Sequence, residues 1–350
     1  MVTLGWPRYL NEALSTTNPS PLITVTPQGL YCAPGDFHID PWRPVERALI
    51  THAHGDHARS GSRRYLGARA GESLLHRRLG ADAVIDTLEY GERLTLNDVT
   101  VSFHPAGHVL GSAQIRIEHK GEVWVVSGDY KRAPDPTCAP FEVVRCDTFI
   151  TEATFGLPIY RWDDTRLVAE DILKWWHTNR ESGRSAVLFC YALGKAQRIL
   201  AELARLTDRP VFVHGALNSL VEAYREAGVH MLPTQLVSEV EKGTSFAGAL
   251  VLAPPSAGGS TWMRRFGEHE TGFASGWMRV RGNRRRRGFD RGFVLSDHAD
   301  WPDLLRTVAE TRAERVLVTH GYSEPLAHYL RDGGVDAAPL ATPFEGEAED

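Results

Sequence analysis

Cysteine is scarce: the 350 residues hold four, Cys32, Cys138, Cys146 and Cys190, and no two stand in C-x-x-C spacing. That excludes a disulfide framework and a thiolate zinc site as the devices that organise the chain. Long apolar runs are missing too. No stretch approaches the roughly 20 consecutive apolar residues that cross a bilayer, so no membrane partner is expected. The opening MVTLGWPRYLNEALSTTNPS lacks the basic-then-apolar order of a secretory signal. With so little cysteine, the expected location is the cytoplasm. Positive charge is also in deficit, 39 lysines and arginines against 44 acidic residues, a formal net charge of −5. One segment escapes that average. RVRGNRRRRGFDR, 279–291, carries seven arginines, so net charge does not exclude a polyanionic partner.

What is present suits a globular chain, 42% hydrophobic and 24% charged. The length fits two domains, or one domain with a large insertion. The first half alternates short apolar runs with turn signals. Val99, Val101 and Phe103 open an alternating pattern that predicts an antiparallel meander over 99–130. DDTRLVAEDILKWWHTNRESG then places apolar residues at helical spacing, with Asp163, Asp164 or Thr165 as cap and Gly183 as stop. From there strands and helices alternate, which predicts a parallel α/β unit. RGFVLSDHADWPDLLRTVAE and RVLVTHGYSEPLAHYLRDGG repeat the strand-to-helix passage, each with a histidine just past the strand. The acidic tail TPFEGEAED reads as frayed.

The densest chemistry is ALITHAHGDHARSG, 48–61. His52, His54, Asp56 and His57 follow an apolar run within six positions. Imidazole and carboxylate together suit zinc or manganese, and paired divalent ions are a standard device for hydrolysing phosphodiesters. His52 and His54 can face one side of such a turn while Asp56 and His57 serve a second position. PAGHVLGSAQ adds His108 among small neighbours, and VWVVSGDYKR ends an apolar strand at Asp129, where a carboxylate can bridge two cations.

The ordered motifs HIDP, THAHGDH, PAGHVLGSA and SGDYKR resemble those of the metallo-β-lactamase fold. TEATFG, LSDHAD and VTHG resemble the three further motifs of the β-CASP nucleic-acid hydrolases. The resemblance spans roughly 30–330. Within that group, the compact insertion and the arginine run look most like the bacterial ligase-associated DNA exonucleases. It implies an α/β chain, an αββα sandwich at 1–160 and 286–350 with an α/β cap inserted at 161–285. It implies two divalent ions, zinc and/or manganese. His52, His54 and His108 would hold one, Asp56, His57 and His320 the other, with Asp129 between them. Asp40 would orient a ligand histidine by hydrogen bond. His298 would protonate the leaving oxygen, with Glu152 holding that ring in its charged form. In the family the last motif is usually histidine in RNA-cleaving members and valine in many eukaryotic DNA-specific ones, and here it is His320.

Substrate contacts are expected from the cap. Lys195 opens a helix in ALGKAQ, where backbone N–H groups and an ammonium suit a phosphate. Ser256, Gly258, Gly259 and Ser260 form a small-residue loop open to close phosphate approach. Arg284, Arg285, Arg286 and Arg287 would clamp a strand, with Trp262, Phe266, Trp277 and Phe289 as candidates for stacking on bases. Three functions fit these features. The first is a two-metal nuclease, with single-stranded DNA before RNA and a DNA ligase or helicase as partner. The second is a small-molecule metallohydrolase, and the third a non-catalytic nucleic-acid binder. The inserted cap, the His298–Glu152 pair and the arginines favour the nuclease.

Overall fold

A computed structural model of the chain describes residues 21–280 and 288–342. The first sheet is laid down in sequence order as β1 (Ile23–Thr26), β2 (Gly29–Cys32), β3 (Phe37–Ile39), β4 (Arg47–Leu49), β5 (Arg64–Ala68) and β6 (Ile85–Leu88). It begins as antiparallel hairpins and turns parallel from β3 onward. The second sheet opens with β7 (Arg93–Leu96), β8 (Val99–Pro105), β9 (Ala113–His119) and β10 (Glu122–Val126), the last three being the meander expected over 99–130. β11 (Thr148–Glu152) adds in parallel, buried along its whole length.

The chain then leaves for the cap. α2 (Thr165–Glu181), the second helix after α1 (Glu72–Leu79), is capped by Asp164, whose side chain accepts from Arg166 N. Val168, Ala169, Ile172, Trp175 and Trp176 form its buried face. The cap sheet is parallel throughout, in the order β14 (Thr234–Leu236), β13 (Val211–Val213), β15 (Leu250–Ala253), β12 (Ser185–Phe189), β16 (His269–Ala274), β17 (Arg291–Phe293). Its central β12 and β15 are buried on both faces and, apart from Ser185 at the start of β12, read as apolar runs. α3 (Lys195–Leu203) and α4 (Gly215–Glu226) connect its strands. β17, which lies beyond the expected cap boundary at 285, pairs with β16 and edges this sheet. After α5 (Trp301–Thr311), β18 (Arg315–Thr319) returns to pair with β11, and α6 (Ser323–Asp332) and β19 (Asp336–Pro339) complete the second sheet.

Apolar burial explains the layering. Leu30, Ile39, Leu49 and Leu66 of the first sheet meet Val101, Phe103, Ile115, Ile117 and Trp124 of the second in one core. Outside the second sheet, Trp301, Leu304, Val308, Leu326 and Leu330 cover Phe149, Val316 and Val318. Outside the first, Leu74 and Leu75 of α1 join Ala48, Ile50 and Tyr65 in a cluster that runs on into Ile199, Leu200, Val221 and Tyr224 of the cap. Sandwich and cap therefore share a core. At roughly 25 cal/mol per Å² of apolar surface removed from water, separating them would be costly. Among the described residues no helix is long and apolar enough to cross a membrane.

Candidate metal centre

Parallel strands collect chemistry at their carboxyl ends. The loop after β4 carries His52 to His57, the β8–β9 loop His108, the end of β10 Asp129, the last residue of β11 Glu152, and the residues after β17 and β18 His298 and His320. Gly128, at φ +56°, brings Asp129 against the first loop. A Cβ there would lie 2.6 Å from Thr51 Cβ. Asp40, itself at φ +41°, knots that loop together. Its carboxylate accepts from Thr51 N at 2.8 Å, from Thr51 Oγ1 at 2.6 Å and from His57 Nδ1 at 2.8 Å.

The first cluster is His52, His54, His108 and Asp129. Each imidazole has one nitrogen already committed as a donor. His52 Nδ1 is 3.0 Å from Thr51 Oγ1, whose own hydrogen goes to Asp40. His108 Nδ1 donates to the Asp297 carbonyl at 2.9 Å, and His54 Nε2 faces the Leu193 carbonyl at 3.3 Å. In the neutral rings the opposite nitrogens carry lone pairs. Those lone pairs converge: His54 Nδ1 lies 3.0 Å from both His52 Nε2 and His108 Nε2. Lone pairs cannot bond one another, and a divalent cation between them resolves the conflict. Asp129 Oδ2 stands 3.6 Å from His52 Nε2 and 3.9 Å from His108 Nε2.

The second cluster is His57, Asp129 and His320. His57 Nε2 is 3.4 Å from Asp129 Oδ2 and 3.8 Å from Asp56 Oδ2, and the His320 ring stacks on His57 at 5.1 Å and 9°. His320 reaches that position at φ +59°. The buried Asp129 Oδ1 has no hydrogen-bond partner among the described residues, which again fits a cation in this position. Burial, with neighbouring imidazoles, pushes His52 and His108 well below the usual histidine range, and burial takes His320 to about 4. For His57 burial acts the same way, but the Asp129, Asp56 and Asp40 carboxylates outweigh it and raise the ring well above that range. The field that would favour a proton there favours a metal equally.

Glu152 and His298 adjoin both clusters. His298 Nδ1 is 2.9 and 3.1 Å from the two Glu152 oxygens, and Glu152 Oε1 also accepts from Tyr130 N at 2.7 Å. Burial raises the Glu152 carboxyl, with the His298 charge opposing. Ligand atoms of Asp129, Glu152 and His298 all fall within 4.8 Å of one another. Trp162 Nε1 donates to the His298 carbonyl at 2.8 Å, and Phe155 packs 5.8 Å from the ring.

The expected substrate contacts fare differently. Lys195 is not at a surface. It is fully buried, its Nζ 3.4 Å from Asp297 Oδ2 and 4.3 Å from the Tyr191 ring centroid, so its charge is directed inward and not at a phosphate. Ser256, Gly258, Gly259 and Ser260 follow β15 at the carboxyl edge of the cap sheet. The turn that meets His54 follows the adjacent β12 at that same edge. Phe266 is core, whereas Trp277 is half-buried and packs 4.8 Å from Phe155. Arg284, Arg285, Arg286 and Arg287 lie outside the described residues. Sequence reasoning missed Thr51, Leu193, Arg198 and Asp297. Thr51 in THAHGDH, Leu193 in ALGKAQ and Asp297 in LSDHAD lay within the motifs, whereas Arg198 carried no signal.

No protein-family profile matches the chain. It is 34% identical over 313 residues to "Probable DNA ligase" of Opitutus terrae, a span of 88% of this chain and 30% of that protein. It is 33% identical over 129 residues to "Endoribonuclease ysh1" of Aspergillus fumigatus, covering 36% of this chain and 14% of that one. The chain thus spans less than a third of either relative. A solved structure of a protein of unknown function from Enterococcus faecalis aligns at TM-score 0.51 and 11% identity, over 78% of this chain and 74% of the other. That likeness is one of fold alone.

Proposed function

We propose that the chain is of the β-CASP group of the metallo-β-lactamase fold, and that it is a metal-dependent phosphodiesterase acting on nucleic acid, specifically a single-strand DNA exonuclease of DNA repair. The observation that carries this reading is the pair of imidazole–carboxylate clusters sharing Asp129, with Glu152 and His298 against them. His52, His54, His108 and Asp129 would hold one ion, and Asp56, His57, His320 and Asp129 the other. Divalent ions so paired, zinc and/or manganese, supply a water of lowered pKa and neutralise phosphate charge.

The other steps fall to the chain's own side chains. Asp40 accepts from His57 Nδ1 and so fixes which nitrogen faces Asp129. His298, its Nδ1 engaged by Glu152, passes a proton from Nε2 to the departing oxygen. The Glu152 carboxylate keeps that ring aligned and favours its charged form. The 256–260 loop and Arg284–Arg287 receive the phosphates of the incoming strand. DNA is favoured because the relative that matches along 88% of the chain carries a DNA ligase name, while the endoribonuclease matches along 36%. The same relative supports a ligase partner, and a DNA substrate with few cysteines fits the cytoplasm. Ribonuclease is the second reading, favoured by His320 in the last motif.

One gel separates these. Manganese- or zinc-loaded protein meets matched end-labelled single strands of DNA and RNA, with Asp56→Ala as control. Stepwise shortening of DNA, lost in the variant, is expected. Preferential cutting of RNA would replace the DNA reading, and silence on both in metal-loaded protein would overturn the nuclease.

A further inference from the structure

Three consecutive cap residues touch three different pieces of the metal site. The Leu193 carbonyl accepts from His54 Nε2 at 3.3 Å. Gly194, at φ +86°, sits so close to the His108 loop that a Cβ would lie 2.5 Å from Val109 Cγ1. Lys195 Nζ pairs with Asp297 Oδ2 at 3.4 Å, with neither side chain more than 3% exposed. The turn is itself tied down. Buried Gln197 accepts from Gly194 N at 2.7 Å and donates to the Ala192 carbonyl at 2.9 Å.

One helical turn further, Arg198 finishes the connection. Its Nη1 donates to the Ser296 carbonyl at 2.7 Å and stands 3.4 Å from Asp297 Oδ1. Its Nε is 3.3 Å from Asp135 Oδ2, and its Nη2 donates to the Thr165 hydroxyl. Asp297, held from two sides, presents its own carbonyl to His108 Nδ1 at 2.9 Å, and the next residue is His298. Buried ion pairs add little net stability over apolar packing of the same shape. What they do supply is a fixed register.

We propose that the cap turn Leu193–Lys195, with Arg198, is a positioning element of the metal site: it orients His54 directly, and His108 and His298 through Asp297. None of these cap residues touches substrate or metal in this scheme. Cap docking and ion binding at the His52–His54–His108 cluster are then linked, each strengthening the other by the same factor. The inference rests on the metal-binding part of the proposed function and is independent of substrate and turnover.

Two measurements test it. In the unaltered chain, amide hydrogen exchange is compared with and without zinc. Exchange across 190–203 is expected to slow at least about fivefold on zinc addition, while α4 (Gly215–Glu226) stays unchanged. Equal exchange in 190–203 under both conditions would overturn the proposal. Second, cobalt titrations followed by visible absorption compare Lys195→Met and Lys195→Arg with the unaltered chain. Lys195→Met should weaken one cobalt site about tenfold and leave the other within about twofold, and Lys195→Arg should restore most of that loss. Both sites unchanged, or both weakened equally with no rescue by arginine, would reduce the cluster to a merely structural role. If Lys195→Met fails to fold, the exchange experiment decides alone. Because neither readout uses nucleic acid, absence of nuclease activity would leave this inference standing.

Discussion

Imidazoles meet at 3.0 Å in this protein because each has its other nitrogen committed elsewhere: to Thr51, to Leu193, to Asp297. What stands behind His52, His54 and His108 therefore sets which nitrogen of each ring faces the cluster. Asp129 is the residue both clusters require, whereas His298 belongs to neither set of imidazole ligands. Their substitutions should separate accordingly. Asp129→Ala is expected to lower bound metal per chain, measured by plasma mass spectrometry, and to abolish hydrolysis with it. His298→Ala should keep its full metal content while kcat falls about 10²- to 10⁴-fold, the usual range for removing a general acid. A fully active His298→Ala would remove the acid role.

At the scale of elements, the strand ends set the geometry and short turns carry the strain. Asp40 and His320 take positive φ without being glycine, a conformation that costs of order 1–3 kcal/mol and persists only where surroundings over-determine it. Gly194 is the reverse case, a position where a side chain has no room. Gly194→Ala should destabilise the protein by about 1–3 kcal/mol through its positive φ and the contact with Val109. Urea unfolding would measure that loss. Adding Val109→Ala should recover only the steric part, and full additivity of the two substitutions would show that the contact is unimportant.

These same elements divide what could be read in advance from what could not. Three histidines and an aspartate in six positions were legible as a candidate site because no packing role calls for them, and His52, His54 and His57 do fall in the clusters. The meander and the parallel cap were legible because apolar periodicity survives into the folded sheets. The partners that fix the rings were not, since Leu193 lies 139 residues from His54 and Asp297 lies 189 from His108. Lys195 misled for a related reason. A lysine after glycine at a helix start looks like a phosphate contact until the fold supplies a buried carboxylate opposite it.

The whole molecule carries net negative charge, so the proposed strand binding must come from a local field. With metal-free protein and a labelled single strand of about 20 nucleotides, log Kd should vary steeply with log salt, by about 0.7 per phosphate contact. Replacing Arg284–Arg287 with serine should flatten that slope by about 2 to 3 and weaken DNA of any sequence alike. An unchanged slope in fluorescence anisotropy would assign the strand path elsewhere. The continuous apolar cluster from α1 into the cap holds the cap sheet against the first sheet.

One feature of the second sheet reaches into time. β11 has its partner in β18, Thr148 against Arg315, with the entire cap synthesised between them. A chain growing from its N-terminus exposes His52, His54, His108 and Asp129 before the cap is made, and His298 and His320 only after it. Until β18 arrives, β11 presents an unpaired edge and the second cluster lacks a ligand. The nascent protein therefore holds only part of the candidate site while the cap is being made. The proposed hydrolytic competence waits for the strand that closes the second sheet, on the ribosome as in refolding.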